Sequence, residues 1–110
     1  YYDAIARMDA DAGQVLDLLK SRNLLDNTLV IFTGDNGMPF PGAKGTCYEP
    51  GIRVPLVAWW PGRMKPGTRK ELIAHVDLPS TWLAAAGIEQ PKKMQGRSFL
   101  PLITGSGAYT

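Results

Sequence analysis

Five side chains in this sequence have the chemistry to act on a substrate: Asp35, Asn36, Lys44, Cys47 and His75. Asp35 and Asn36 are adjacent and framed by Gly34 and Gly37, so a carboxylate and a carboxamide share one tight turn. Together they offer hard oxygen donors of the kind that Ca²⁺ or Mg²⁺ takes, although Asp-Asn-Gly equally suits a plain turn. Lys44 follows on the same loop, inside Gly42-Ala43-Lys44-Gly45-Thr46, where small neighbours let its ammonium approach an oxyanion closely. That run is not a phosphate-binding P-loop, because the spaced first glycine and the following helix pattern are missing. Cys47 is the only cysteine, so no internal disulfide forms, and with no histidine nearby it reads as a small filler or an idle thiol. His75 is the only histidine, and a lone histidine is more often structural than catalytic.

These residues need elements to carry them. Thr28-Leu29-Val30-Ile31-Phe32-Thr33 is a continuous apolar, β-prone run that ends abruptly at the Asp-Asn pair. It reads as a strand buried on both faces, as in a parallel sheet between helices, with Asp35 and Asn36 at its carboxyl end. Before it, Asp3 to Lys20 reads as a helix with Ile5, Met8, Ala12, Val15, Leu16 and Leu19 on one stripe and Asp3 as a cap. Helix, short loop and strand make half of a crossover unit. Met38 to Gly51 carries three prolines and three glycines and reads as a loop with little regular structure.

Arg53 to Trp60 is a second strand, ended by Pro61-Gly62, in which Trp59 and Trp60 point to opposite faces, one into the core and the other toward a surface. Glu71 to His75 is a short strand. Val76 to Ala86 is a helix with Asp77 as N-cap, Pro79 in the first turn and Gly87 at its C-terminal cap. Arg97 to Leu102 is a last short apolar helix or turn. The expected class is α/β, a mostly parallel sheet flanked by helices.

Composition excludes several other classes. With 45% hydrophobic and 20% charged residues in 110, the chain is an ordinary globular domain or a piece of one, not a disordered segment. A net charge of +2 with scattered lysines and arginines permits an anionic ligand without demanding one and gives no nucleic-acid footprint. No apolar run approaches the roughly 20 residues of a membrane span.

The succession Asn27 to Thr33, Asp35-Asn36-Gly37, Lys44-Gly45-Thr46, Tyr48-Glu49, Gly51-Ile52-Arg53-Val54-Pro55 and Trp60-Pro61-Gly62 resembles the type I sulfatase family of the alkaline-phosphatase-like superfamily. His75-Val76-Asp77-Leu78-Pro79-Ser80-Thr81 and Gly96-Arg97-Ser98 continue the likeness over nearly the whole chain. Within the family, Asp35 to Pro41, with Tyr48 and Pro50 downstream, is most similar to the N-sulfoglucosamine sulfohydrolase (heparan sulfamidase) branch.

The resemblance implies that Asp35 and Asn36 are two ligands of one Ca²⁺, that Lys44 contacts the sulfate, and that His75 is a further candidate for substrate binding. Asn36 stands where the two-metal phosphatases of the superfamily have His, which argues for one metal. The family's nucleophile is a formylglycine made within a C/S-x-P/A-x-R motif, and Cys47-Tyr48-Glu49-Pro50-Gly51 lacks both the Pro and the Arg. The expectation is therefore residues 1–110 as the C-terminal part of a catalytic domain, without the nucleophile-bearing first half and inactive alone. A sulfated carbohydrate would be the substrate, the missing half of the domain the partner, and the compartment extracytoplasmic. Two other readings remain: a phosphatase or phosphodiesterase of the same superfamily, or a non-catalytic module binding an anionic glycan or a partner.

Overall fold

The computed structural model describes residues 1–109, which form two compact units. One comprises residues 1–28 and 60–109, and the other residues 29–59.

In the first unit, α1 spans Tyr2–Ser21. The expected stripe is present, but no residue of α1 is buried, and Ile5, Met8 and Val15 all stand exposed. Asp3 does not cap the helix: Tyr1 holds the N-cap position without a side-chain bond, and Asp3 sits in the first turn, where its charge suits the helix dipole. After a 3₁₀ turn at Leu25–Asn27, the chain leaves the unit and returns at Trp60.

The proposed strand over Glu71 to His75 is not formed. That stretch is instead tied down by turns, with the Asp77 N–H donating to Ala74 O at 2.9 Å and the Leu78 N–H to His75 O at 3.1 Å. A helix, α3, then runs Asp77–Ala85, and Gly87 takes φ +69° just beyond it, the left-handed geometry that a C-terminal cap asks of glycine. The last helix, α4, spans Leu100–Thr104 and packs on α3. Leu78, Phe99, Ile103 and Trp60 are the buried apolar residues of this unit, Phe99 with no exposed surface at all.

Asp77 is not the N-cap of α3, a position held by Val76. Its buried carboxylate reaches outward to donors that a local cap would never meet. Oδ1 accepts from the Arg97 N–H at 2.9 Å, and Oδ2 accepts from the Ala74 N–H at 2.9 Å and the Tyr109 hydroxyl at 2.8 Å. Burial alone would raise its pKa, but these three hydrogen bonds and the Arg97 charge together hold it below the usual carboxylate value. A depressed pKa means stability that is present above the unfolded value of 3.8 and lost as pH falls through the folded one. Thermal unfolding should therefore show an acid limb that Asp77→Asn flattens, with a cost at neutral pH of about 1–3 kcal/mol from donors left without an acceptor. An unchanged acid limb in Asp77→Asn would refute this.

In the second unit, β1 (Val30–Thr33) pairs with β2 (Leu56–Trp59). The pairing is antiparallel, with Val30 opposite Trp59 and Thr33 opposite Leu56. The expected mostly parallel sheet is thus not what the described residues form: their sheet has two strands running in opposite directions. A continuous apolar run announces that both faces are to be covered but is silent on the direction of the neighbour. The loop between the two strands folds back on itself, with the Gly37 N–H donating to Gly51 O. Nor is β1 buried on both faces, since Phe32 is exposed, as are Val57 and Trp59 of β2. The split between Trp59 and the buried Trp60 is as the alternation requires. Within the loop, a short helix, α2 (Glu49–Ile52), was not anticipated; Glu49 and Pro50 in its first turn are its sequence signals.

Candidate functional site

The end of β1 is pinned before the chain turns. The Gly34 N–H continues the ladder to Pro55 O at 3.2 Å, and Thr33 Oγ1 donates to the same carbonyl at 2.9 Å. Asp35 and Asn36 follow immediately, with the Asn36 side-chain N–H donating to Asp35 Oδ1, so the two side chains lie together. Asn36 Oδ1 is buried and has no hydrogen-bond partner among the described residues. Leaving such an acceptor unmet costs about 1–3 kcal/mol. A hard cation beside the Asp35 carboxylate would meet it.

Gly37, directly after the pair, sits where two backbone segments meet. A Cβ there would stand 2.1 Å from Pro50 O, so only glycine lets the two backbone segments touch. Its N–H donates to Gly51 O at 3.0 Å, and a Cβ on Gly51 would in turn fall 2.4 Å from Thr46 O. This contact between Gly37 and Gly51 closes the loop and returns the chain toward β2.

Within the closed loop, Lys44 is presented by its neighbours. Ala43 is buried, while Gly42 and Gly45 on either side take φ +79° and +80°, turning the chain sharply before and after. The Lys44 N–H donates to Met38 O at 3.0 Å, and Thr46 Oγ1 donates to Ala43 O at 2.8 Å. The Lys44 side chain is exposed, and its ammonium makes no ion pair among the described residues. Further along the chain, Glu49 and Arg53 form an exposed ion pair at 2.6 Å on α2.

Asp35, Asn36 and Lys44 therefore share one loop of one unit. His75 belongs to the other unit, where it lies exposed in the turn before α3. Cys47 is exposed. No group of three or more His, Cys, Asp or Glu side chains converges as a metal site among the described residues. Nor is any described helix long and apolar enough to cross a membrane. The sequence reading missed Asp77 as a hub; an acid set between the apolar Val76 and Leu78 was its only local mark.

The Sulfatase family model matches residues 1–88. Human arylsulfatase A is 38% identical, over 96% of this chain and 23% of its own length. Human N-acetylgalactosamine-6-sulfatase is 36% identical, over 94% and 23%, and an ulvan-active sulfatase of Formosa agariphila is 40% identical, over 96% and 20%. Among solved structures, BT4656 in complex with its substrate D-glucosamine-2-N,6-O-disulfate superposes with a TM-score of 0.82 at 33% identity, covering 94% of this chain and 22% of that one. The chain thus spans less than a quarter of the length of these relatives. With a family model matched over most of its residues, and with the Asp-Asn turn and the Lys44 loop built as described, the chain belongs to the sulfatase family.

Proposed function

We propose that the full-length parent of this chain hydrolyses sulfate from a sulfated sugar, and that this segment supplies part of its cation and sulfate site. Asp35 and Asn36 would be two ligands of one Ca²⁺, Lys44 a sulfate contact and His75 a further substrate contact. The observation that carries this reading is Asn36 Oδ1, buried and unmet beside the Asp35 carboxylate on the loop that presents Lys44.

Ca²⁺, when bound, supplies a fixed positive charge close to the sulfate oxygens. The rest falls to side chains. Asp35 neutralises part of that charge, and Asn36 orients its carboxamide oxygen with the help of the hydrogen bond to Asp35. Lys44 adds a point charge against oxygens whose negative charge grows as the S–O or S–N bond breaks. None of these groups attacks sulfur, and Cys47 lies outside a formylglycine motif. The chain alone should therefore release no sulfate. Turnover by the purified chain that Cys47→Ala abolishes would contradict this.

A sulfated amino sugar is the substrate class this reading favours. One relative is named for N-acetylgalactosamine 6-sulfate, the substrate of BT4656 carries both an N- and an O-sulfate, and Asp35 to Pro41 resembles the sulfamidase branch. Sulfate release by the parent from 6-O-sulfated and from N-sulfated glucosamine, assayed separately, tests the class and decides between the two bonds. Hydrolysis of phosphate esters with no sulfate release from either sugar would overturn it in favour of a phosphatase. The same reading puts the parent in an extracytoplasmic compartment.

The cation assignment makes a prediction for the chain itself. Two side-chain donors are far fewer than the 6 to 8 oxygens Ca²⁺ prefers, so affinity should be in the range of about 10⁻³ M or weaker. Titration calorimetry giving micromolar affinity would show that this loop furnishes the site by itself.

A further inference from the structure

Four of the twelve lysines and arginines of the chain, Arg63, Lys65, Arg69 and Lys70, fall within eight residues that hold no acid. The net charge of all 110 residues is only +2, so the rest of the chain is net acidic. All four side chains are exposed, and none forms an ion pair among the described residues. Glu71, the acid that borders the run, does not pair with an ammonium: its carboxylate accepts from the Lys70 backbone N–H at 2.9 Å. Like charges set so close together repel one another, a cost that a bound polyanion would remove.

The segment that carries these cations is held in shape at both ends. The Arg63 N–H donates to Trp60 O at 3.1 Å, and the Arg63 guanidinium lies over the Trp60 ring, 4.7 Å from its centroid. Trp60 is buried, so this arginine rests on a fixed platform. At the other end, Arg69 Nε donates to Leu102 O on α4 at 3.3 Å, and Arg69 Nη1 donates to Thr68 O at 3.4 Å. Pro61 and Pro66 restrict the backbone between these anchors. The two arginines are thus held at separate points, with Lys65 and Lys70 exposed beside them. The indole Nε1–H of Trp60 is also buried without an acceptor among the described residues. What this segment lacks is therefore acceptors: it offers four cations and an unmet N–H.

We propose that residues 60–70 are a binding surface for a sulfated polysaccharide. Cations anchored apart from one another suit a ligand that repeats its anions along a chain, because each contact after the first forms at a raised effective concentration. Sulfate oxygens accept from guanidinium and ammonium groups alike, and a sulfate held at Arg63 would bring acceptors to the Trp60 side of the turn. The choice of a sulfated sugar over another polyanion rests on the substrate class proposed above. The surface itself lies wholly within one compact unit and needs no residue of the Lys44 loop.

Binding of heparin, a polysaccharide of N- and O-sulfated sugars, by the full-length parent tests it. Arg63→Gln, Lys65→Gln and Lys70→Gln together leave the Arg69 bond to Leu102 O in place. They should weaken binding about tenfold at about 0.15 M salt and reduce the slope of log Kd against log salt by about 2. The same charge taken from α1, in Arg7→Gln, Lys20→Gln and Arg22→Gln, should change Kd by less than about twofold, since a local surface and not net charge is at work. Equal losses from the two triple variants, or none from the first, would overturn the proposal. Where the first variant fails to fold, Lys65→Gln with Lys70→Gln leaves both anchored arginines untouched and should still weaken binding about threefold; no loss there would overturn it equally. Inorganic polyphosphate bound as tightly as heparin would overturn the choice of a sulfated sugar. Sulfate release from a sulfated monosaccharide is assayed alongside on the wild-type parent. A parent that releases none, yet loses heparin binding with the three charges, would sink the hydrolase reading and leave this surface standing.

Discussion

Asp35→Ala in the full-length parent is expected to remove Ca²⁺ and sulfate release together, with a rate loss on the order of a thousandfold, or about 4 kcal/mol. Two features of the loop make the effect large. Asp35 is the only carboxylate on the turn, so its loss leaves Asn36 with a neutral oxygen that attracts a divalent cation weakly. It also removes the acceptor of the Asn36 side-chain N–H, which frees the carboxamide to rotate and takes Oδ1 out of its buried position. Metal content by elemental analysis and turnover at saturating substrate are the two readings, taken on protein with an unchanged circular dichroism spectrum. Asp35→Asn should retain the hydrogen bond yet lose most of the metal, separating charge from geometry. If Asp35→Ala kept both metal and activity, the pair would be a turn and nothing more.

Lys44→Ala should cost on the order of 3 kcal/mol in transition-state stabilisation, roughly a hundredfold in kcat/KM, with metal content intact. The expectation comes from how the loop presents the side chain. Gly42 and Gly45 turn the backbone on both sides, Ala43 is buried between them, and the ammonium is left exposed. A solvated surface lysine removed from such a loop would change the rate by less than about threefold, and that outcome would withdraw the sulfate-contact assignment. Arg should restore part of the loss, because it keeps the charge but presents it as a planar fork where a point charge is wanted. Retained metal in Lys44→Ala would also show that the Asp35 and Asn36 turn survives changes in the middle of the loop.

Much of the local structure was legible in the residues. The stripe from Ile5 to Leu19 announced α1 to within a residue at each end, Gly87 marked where α3 stops, and the alternation at Trp59 and Trp60 separated an exposed ring from a buried one. Each of these is a local property, written in periodicity or in the backbone freedom of a single residue. The Asp-Asn turn and the lysine loop were legible for the same reason, since Gly34, Gly37, Gly42 and Gly45 punctuate them.

What the sequence could not show is decided by contacts between distant segments. The apolar run of β1 called for cover on both faces, but its antiparallel pairing with β2 joins residues such as Val30 and Trp59 that are far apart in the chain, and the run itself carries no sign of that direction. Asp77 looked like a helix cap because its local neighbours permit one, whereas two of the donors that claim its carboxylate lie 20 and 32 residues further along the chain. Local propensity offers a carboxylate several acceptable partners at nearly equal free energy, and only tertiary packing, by bringing Arg97 and Tyr109 against it out of water, makes one set prevail.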